Sequence, residues 1–160
     1  MMRNFPSALA IISIAILAAC TPKKKEVPCE ELTIKAAAAD SAALANYIAE
    51  KEIVATYDPR GFYYRIKTAG NENRPGYCSN IVVNYVGKFT NGQQFDSGNN
   101  VSFNLTNLVS GFRYGLNLVG EGGEVTFYLP PSLGYGNDDY QSIPGGSILI
   151  FDADLISITK

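Results

Sequence analysis

Hydrophobic and polar positions follow two different periods along this chain. Between Glu30 and Glu52, an alanine-rich stretch places apolar residues partly at spacings of three and four, which predicts an amphipathic helix. Asp40 and Ser41 are candidate N-caps of a shorter helix that runs to Glu52, so the pattern leaves the helix start open. We expect a helical extension over residues 30–56.

After residue 60 the pattern changes to short strands separated by turns. All fifteen glycines lie at or beyond Gly61, and aromatic and β-branched residues become frequent there. Asn91-Gly92 predicts a tight hairpin turn, and Phe112–Val119 is long enough for a two-turn helix. The predicted strands are 62–67, 81–86, 101–105, 124–129 and 147–158. This order predicts an α+β domain with an antiparallel sheet and one short helix.

The first twenty residues have the pattern of an export signal. A positive start, Met1–Asn4, precedes the apolar run Phe5–Ala19, which is too short to span a bilayer comfortably. The run ends in Leu17-Ala18-Ala19-Cys20, a tetrad that resembles the bacterial lipobox, in which the cysteine is lipidated and becomes the new N-terminus. A plain secretory signal with a chance cysteine is the alternative. The lipobox interpretation predicts a signal peptide over 1–19 and a lipid on Cys20. It places the protein in the cell envelope, anchored to a bacterial membrane and facing the periplasm or the exterior.

The next segment, residues 20–29, is predicted to be a tether, because Thr21–Pro28 is charged, contains two prolines and has no periodicity. Cys29 and Cys78 then remain as an even pair in an exported protein, which favours a disulfide over two unpaired buried thiols. Such a bond would tie the helical extension to the sheet.

An apolar stripe in the extension, Leu44 and Ile48, needs burial, so we expect the helix to pack against the domain. A solvent-exposed helix that lengthens the tether is one alternative. Pairing with a second copy of the chain is the other.

Composition excludes several kinds of chemistry. The chain has no histidine, which removes Ser-His-Asp and Cys-His systems and histidine-ligated metals, and its three cysteines are too few for a four-thiolate zinc site. A net charge of −2 and a pI near 5.1 offer no basic patch for nucleic acid. We expect no metal, no cofactor and no nucleic-acid partner.

A series of motifs over residues 61–160 is far more specific. Val83–Phe89 and Asn91–Ser97 give a V-x-Y-x-G strand, a hairpin turn and an F-D-S segment. The later motifs are Phe103-x-Leu105-x-x-Leu108-Val109-x-Gly111-Phe112, Glu121–Glu124, Leu129–Gly136, Ile143-Pro144 and Leu149–Leu155. In this order and spacing, they resemble the FKBP-type peptidyl-prolyl isomerase family.

The resemblance implies a domain over 57–160 with an FKBP-like antiparallel sheet of five to six strands wrapped around one short helix, preceded by the helical extension. It implies a peptidyl-prolyl cis-trans isomerase that helps exported proteins fold and acts on proline-containing polypeptides without a cofactor. The alternative is a weakly active or inactive proline-binding or chaperone module in an envelope complex. A structural lipoprotein that uses only the scaffold is a third interpretation. We expect a monomer.

The resemblance also implies roles for single residues. Phe112 would be the pocket floor, where the family usually has tryptophan, and Tyr85, Phe95 and Phe151 would be walls. Val101 falls where many members have a pocket phenylalanine. For each aromatic residue alone, plain core packing is the ordinary explanation.

Polar roles are implied in the same way. The Val109 N–H would meet a substrate carbonyl, and the Tyr135 hydroxyl would be offered to the peptide. Asp96 would lie near the rotating carbonyl and orient polar neighbours, although an aspartate beside a turn can simply form that turn. Leu108 and Ile143 would line the mouth.

Overall fold

The computed structural model describes Cys29 and residues 32–159. The predicted signal peptide, the lipidation site Cys20, most of the tether and the predicted helix start at Glu30 lie outside these residues. Six strands form one antiparallel sheet in the order β1-β2-β5-β6-β3-β4. The elements are α1 (Ala38–Glu50), β1 (Thr56–Asp58), β2 (Phe62–Thr68), β3 (Asn80–Phe89), β4 (Gln94–Asn104), α2 (Ser110–Asn117), β5 (Gly123–Leu129) and β6 (Leu149–Thr159). The predicted α+β architecture is confirmed.

The main core lies between α2 and one face of the sheet. Val125, Phe127 and Leu129 alternate along β5, point towards this face and are fully buried, because successive side chains of a strand point to opposite faces. Gly115 of α2 lies against Phe127, and any Cβ there would clash with the ring. The missing side chain therefore lets the short helix approach the sheet closely.

The hairpin between β3 and β4 forms at the predicted turn. Gly92 has φ +85°, a conformation that glycine adopts without steric cost, and the Phe89 N–H donates to the Gln93 carbonyl at 2.9 Å. The predicted strand 101–105 proves to be the second half of the longer β4, which begins at Gln94.

Helix α1 starts later than the alanine-rich pattern suggested. Its N-cap is Ala37, with no side-chain capping bond, and the Asp40 carboxylate instead accepts the Ser132 N–H at 3.0 Å. Neither Asp40 nor Ser41 is the cap. Residues 32–37 are not helical; the Ala36 N–H instead donates to the Arg60 carbonyl at 2.8 Å. Tertiary contacts here outweigh local helix propensity.

The extension packs against the sheet on the face opposite α2. Leu44 is fully buried and Ile48 is 7% exposed, and both pack with Tyr128 of β5. The structure joins Cys29 to Cys78 in a disulfide with a Cα–Cα distance of 5.8 Å. The segment is therefore held to the domain by the disulfide at Cys29 and by the packing of α1.

The chain after α1 enters the sheet directly. Strand β1 was not predicted; it pairs with β2 from Thr56↔Tyr64 onwards and begins inside the segment assigned to the extension. Its three residues are too few to show an alternating pattern in the sequence.

Asp152 links four strands on the face of the sheet opposite α2. Its carboxylate accepts Lys67 Nζ at 2.9 Å, Lys88 Nζ at 3.2 Å and Thr126 Oγ1 at 2.7 Å. Burial alone would raise its pKa, but the hydrogen bonds from Lys67, Thr126 and Lys88 outweigh burial and hold the pKa at about 2. The carboxylate is therefore charged under ordinary conditions.

No helix within residues 32–159 is long and apolar enough to cross a membrane.

Candidate functional site

A cavity of about 240 Å³ opens between the sheet, the start of α2 and the loop before β6. Six of its ten lining residues are aromatic and two more are aliphatic, so its wall is mainly apolar. The lining residues are Tyr85, Asp96, Phe103, Asn107, Leu108, Val109, Phe112, Tyr135, Tyr140 and Phe151, with Tyr135 and Tyr140 at the loop side. Cavities for drug-sized ligands run to about 300–1,000 Å³, so this one suits a smaller apolar group.

Phe112 forms the base of the cavity. It lies in the first turn of α2 and is 4% exposed. Its ring meets three others edge-on, with centroid distances of 5.8 Å to Tyr85, 5.3 Å to Phe127 and 5.1 Å to Phe151. Edge-to-face pairs are the favourable arrangement for aromatic rings, so the base is a rigid aromatic cluster.

A glycine and a bulge position the wall behind Phe151. The register between β3 and β4 shifts after Gly87↔Asp96, which leaves Phe95 as the extra residue. The Phe95 ring packs edge-on against Phe151 at 5.6 Å. A Cβ on Gly87 would lie 2.6 Å from the Phe95 ring and 3.0 Å from the Phe151 ring, so only glycine leaves room for both.

Asp96 is held by two donors. The Tyr85 hydroxyl donates to its Oδ2 at 2.8 Å, and the Ser97 N–H donates to its Oδ1 at 2.9 Å. Burial and the neighbouring Asp96 carboxylate raise the pKa of Tyr85 well above its usual value. Tyr85 therefore stays protonated, and the pair fixes one polar edge of the cavity.

Two further donors at the cavity carry no partner in the described part of the chain. Val109 precedes α2 in an extended conformation (φ −57°, ψ 147°); its carbonyl accepts Phe112 N–H at 3.1 Å, while its own N–H meets no acceptor there. The Tyr135 hydroxyl likewise lines the cavity without an intramolecular hydrogen bond among these residues. Burial, followed by the charge of Asp96, raises the Tyr135 pKa, so this hydroxyl keeps its proton.

No cluster of histidine, cysteine, aspartate or glutamate able to hold a metal occurs among residues 32–159 and Cys29. The available chemistry is an apolar cup with a few fixed hydrogen-bond donors.

Residues 72–156 match the family profile described as FKBP-type peptidyl-prolyl cis-trans isomerase. The chain belongs to this family. A probable FKBP-type peptidyl-prolyl cis-trans isomerase of Haemophilus influenzae is 38% identical over 103 residues, which are 61% of this chain and 43% of that relative. The chain spans about two fifths of the length of such curated relatives.

Solved FKBP structures share the fold. The crystal structure of FkpA from Escherichia coli superposes with a TM-score of 0.69 at 29% identity, covering 77% of this chain and 61% of that one. AtFKBP13 gives a TM-score of 0.60 at 27% identity, covering 66% of this chain and 99% of that one.

The fold brings seven of the ten predicted site residues of this FKBP domain to one cavity. They come from three strands, one helix and two loops: Tyr85, Asp96, Leu108, Val109, Phe112, Tyr135 and Phe151. The pairing of β3 with β4 and with β6 places the side chains of Tyr85, Asp96 and Phe151 on the same face of the sheet.

Three predicted residues do not line the cavity. Phe95 supports Phe151 from behind instead of forming the wall itself. Val101 lies on β4 opposite Val83, and Phe103, two residues further along the same strand, lines the cavity in its place. Ile143 is 7% exposed and belongs to the main core, because its carbonyl and N–H bond to Tyr140 and turn the chain inward.

Sequence analysis missed Phe103, Asn107 and Tyr140 as lining residues. Phe103 was present in the motif that carried the resemblance, and its alternation with Val101 was the available signal. Tyr140 has no periodic or motif signal, because a loop residue reaches the cavity only through the folded path of its loop.

Proposed function

We propose that this protein is a peptidyl-prolyl cis-trans isomerase that acts on proline-containing polypeptides and assists the folding of exported proteins, without a cofactor. The observation that supports it most is the aromatic cavity with two donors, the Val109 N–H and the Tyr135 hydroxyl, that have no partner among residues 32–159. Family membership supports the same proposal.

The reaction needs little conventional chemistry. The barrier to rotation about the peptide C–N bond, about 18–20 kcal/mol, comes from resonance that keeps the amide planar and polar. Moving that amide from water into an apolar cup destabilises the planar form relative to the twisted form, in which resonance is lost. Donors placed for the twisted geometry lower the barrier further.

Each part of the site has a role in this scheme. The proline ring packs on Phe112 and against Phe151. The Val109 N–H binds a substrate carbonyl and fixes one side of the rotating bond, while Tyr135 donates to the other side. Asp96, fixed by Tyr85, keeps the polar edge in place without exchanging a proton.

Removing the Tyr135 hydroxyl is expected to lower kcat/KM about three- to tenfold, the effect of losing one hydrogen bond. Tyr135→Phe keeps the ring and its packing, so the melting temperature should not change. A protease-free isomerisation assay with a peptide carrying an apolar residue before proline measures the rate. A folded Tyr135→Phe variant with the wild-type rate would show that this hydroxyl does not contribute.

We further propose that the protein is anchored in a bacterial cell envelope by lipid on Cys20 and acts there as a monomer. The Leu17–Cys20 tetrad after an apolar run supports the anchor, and the disulfide between Cys29 and Cys78 suits an oxidising compartment. The burial of Leu44 and Ile48 in their own chain supports the monomer, since the stripe needs no second copy.

Cys20→Ser is expected to move the full-length protein from the detergent phase to the aqueous phase in a phase-partition experiment, because lipid contributes about 0.8 kcal/mol for each buried CH₂. Cys29→Ser, which removes a neighbouring cysteine but not the lipid, is the control and should stay in the detergent phase. Membrane retention of the Cys20→Ser protein would assign the anchor to Phe5–Ala19 instead.

A further inference from the structure

Tyr140 is an aromatic residue at the cavity that the mechanism above does not use. Its ring stacks on Tyr135 with a centroid distance of 4.8 Å and an interplanar angle of 17°. Tyr140 is nevertheless 48% exposed. Tyr135 covers one face of the ring, and both residues line the cavity.

The loop that carries Tyr140 is held at several points. Tyr140 and Ile143 exchange two backbone hydrogen bonds, each 2.9 Å long. The Gly145 N–H donates to the Asp139 carboxylate at 2.8 Å, and the Gly146 N–H donates to the Gly136 carbonyl at 3.0 Å. Such bonds fix the backbone on both sides of Tyr140, so presenting this ring to a ligand costs little ordering entropy.

The size of the cavity limits how much of the substrate it can enclose. A volume of about 240 Å³ holds the proline ring and its amide, so an adjacent side chain has to stay at the mouth. Tyr140 offers an exposed ring at the loop side of the cavity.

We propose that Tyr140 determines substrate preference: an aromatic side chain next to the proline stacks on the Tyr140 ring and is favoured over an aliphatic side chain of the same size. This inference rests on the proposed isomerase function and adds a substrate class to it. The preference comes from ring–ring geometry, which adds to the area that any apolar side chain buries.

Matched peptides separate stacking from hydrophobicity. Phenylalanine and cyclohexylalanine have nearly the same shape and size, but only phenylalanine has an aromatic ring. Each is placed directly before proline in one peptide pair and directly after it in a second pair, and kcat/KM is measured for all four peptides. We expect wild type to favour phenylalanine about three- to tenfold in at least one pair, as one aromatic contact allows.

Variants assign the preference to Tyr140. Tyr140→Leu keeps an apolar side chain and should reduce the ratio to about one, while Tyr140→Phe should retain it. Tyr57→Ala removes a similarly exposed tyrosine, 51% exposed, that does not line the cavity, and should leave the ratio unchanged.

A wild-type ratio of one in both pairs would overturn the inference, as would a preference that survives in Tyr140→Leu. If wild type turns over none of the four peptides, the proposed function fails. The same ratio is then read from peptide dissociation constants by NMR titration, where equal affinities of phenylalanine and cyclohexylalanine peptides would also overturn the role of Tyr140.

Discussion

Phe151→Ala is expected to remove most of the isomerase activity and to lower the free energy of unfolding by about 3–5 kcal/mol, the usual cost of deleting a large buried ring. Phe151 is 3% exposed and packs against Phe112 at 5.1 Å and Phe95 at 5.6 Å. Its loss would open the cavity wall to water and release the rings behind it. Urea unfolding measures stability, and the peptide assay measures the rate at a temperature where the variant is folded.

A control variant separates the wall of the cavity from general stability. Phe62 is fully buried in the same core but does not line the cavity. Phe62→Ala should therefore lose a similar amount of stability and keep much more activity than Phe151→Ala. Equal rates for the two folded variants would contradict the assignment of Phe151 to the substrate cavity.

Leu44→Ala is expected to lower the free energy of unfolding by about 2–5 kcal/mol, because it leaves a void between α1 and the sheet. Leu44 is fully buried and packs with Ile48 and Tyr128. Asn46→Ala, at an exposed position of the same helix, is the control and should change stability by less than about 0.5 kcal/mol. A Leu44→Ala variant as stable as the control would show that α1 does not contribute to the fold in solution.

Most strands of the sheet could be predicted from the sequence because their signals are local. Val125, Phe127 and Leu129 recur at every second position, which marks a strand with an apolar face, and Asn91-Gly92 marks a turn that only a few residue types adopt. The start of α1 was not predictable in this way. The alanine-rich segment is a good local helix former, but residues 32–37 are not helical, since the Ala36 N–H bonds to the Arg60 carbonyl and the Ala37 N–H bonds to the Ser132 hydroxyl, far away in the chain.

The site residues likewise fall into those that local sequence patterns predict and those that they do not. Residues within the family motifs, such as Tyr85 and Phe112, could be assigned because the motif fixes both the element and the face. The bulge that moves Phe95 behind Phe151 could not be predicted, since one extra residue in a strand changes which side chains share a face. Tyr140 reaches the cavity through loop hydrogen bonds that no local pattern encodes.

The central claim is that the cavity catalyses prolyl isomerisation, and it is tested most directly by NMR exchange spectroscopy on a proline peptide with a catalytic amount of the protein lacking residues 1–19. The uncatalysed interconversion takes about 10–100 s at 25 °C. Exchange spectroscopy detects interconversion on the subsecond timescale, so the peptide alone gives no exchange peaks between its cis and trans signals. We predict exchange peaks with wild type and their loss with Phe151→Ala. Peptide-induced shifts of Tyr85, Phe112 and Tyr135 signals without any exchange peaks would contradict the claim and identify a proline-binding module instead.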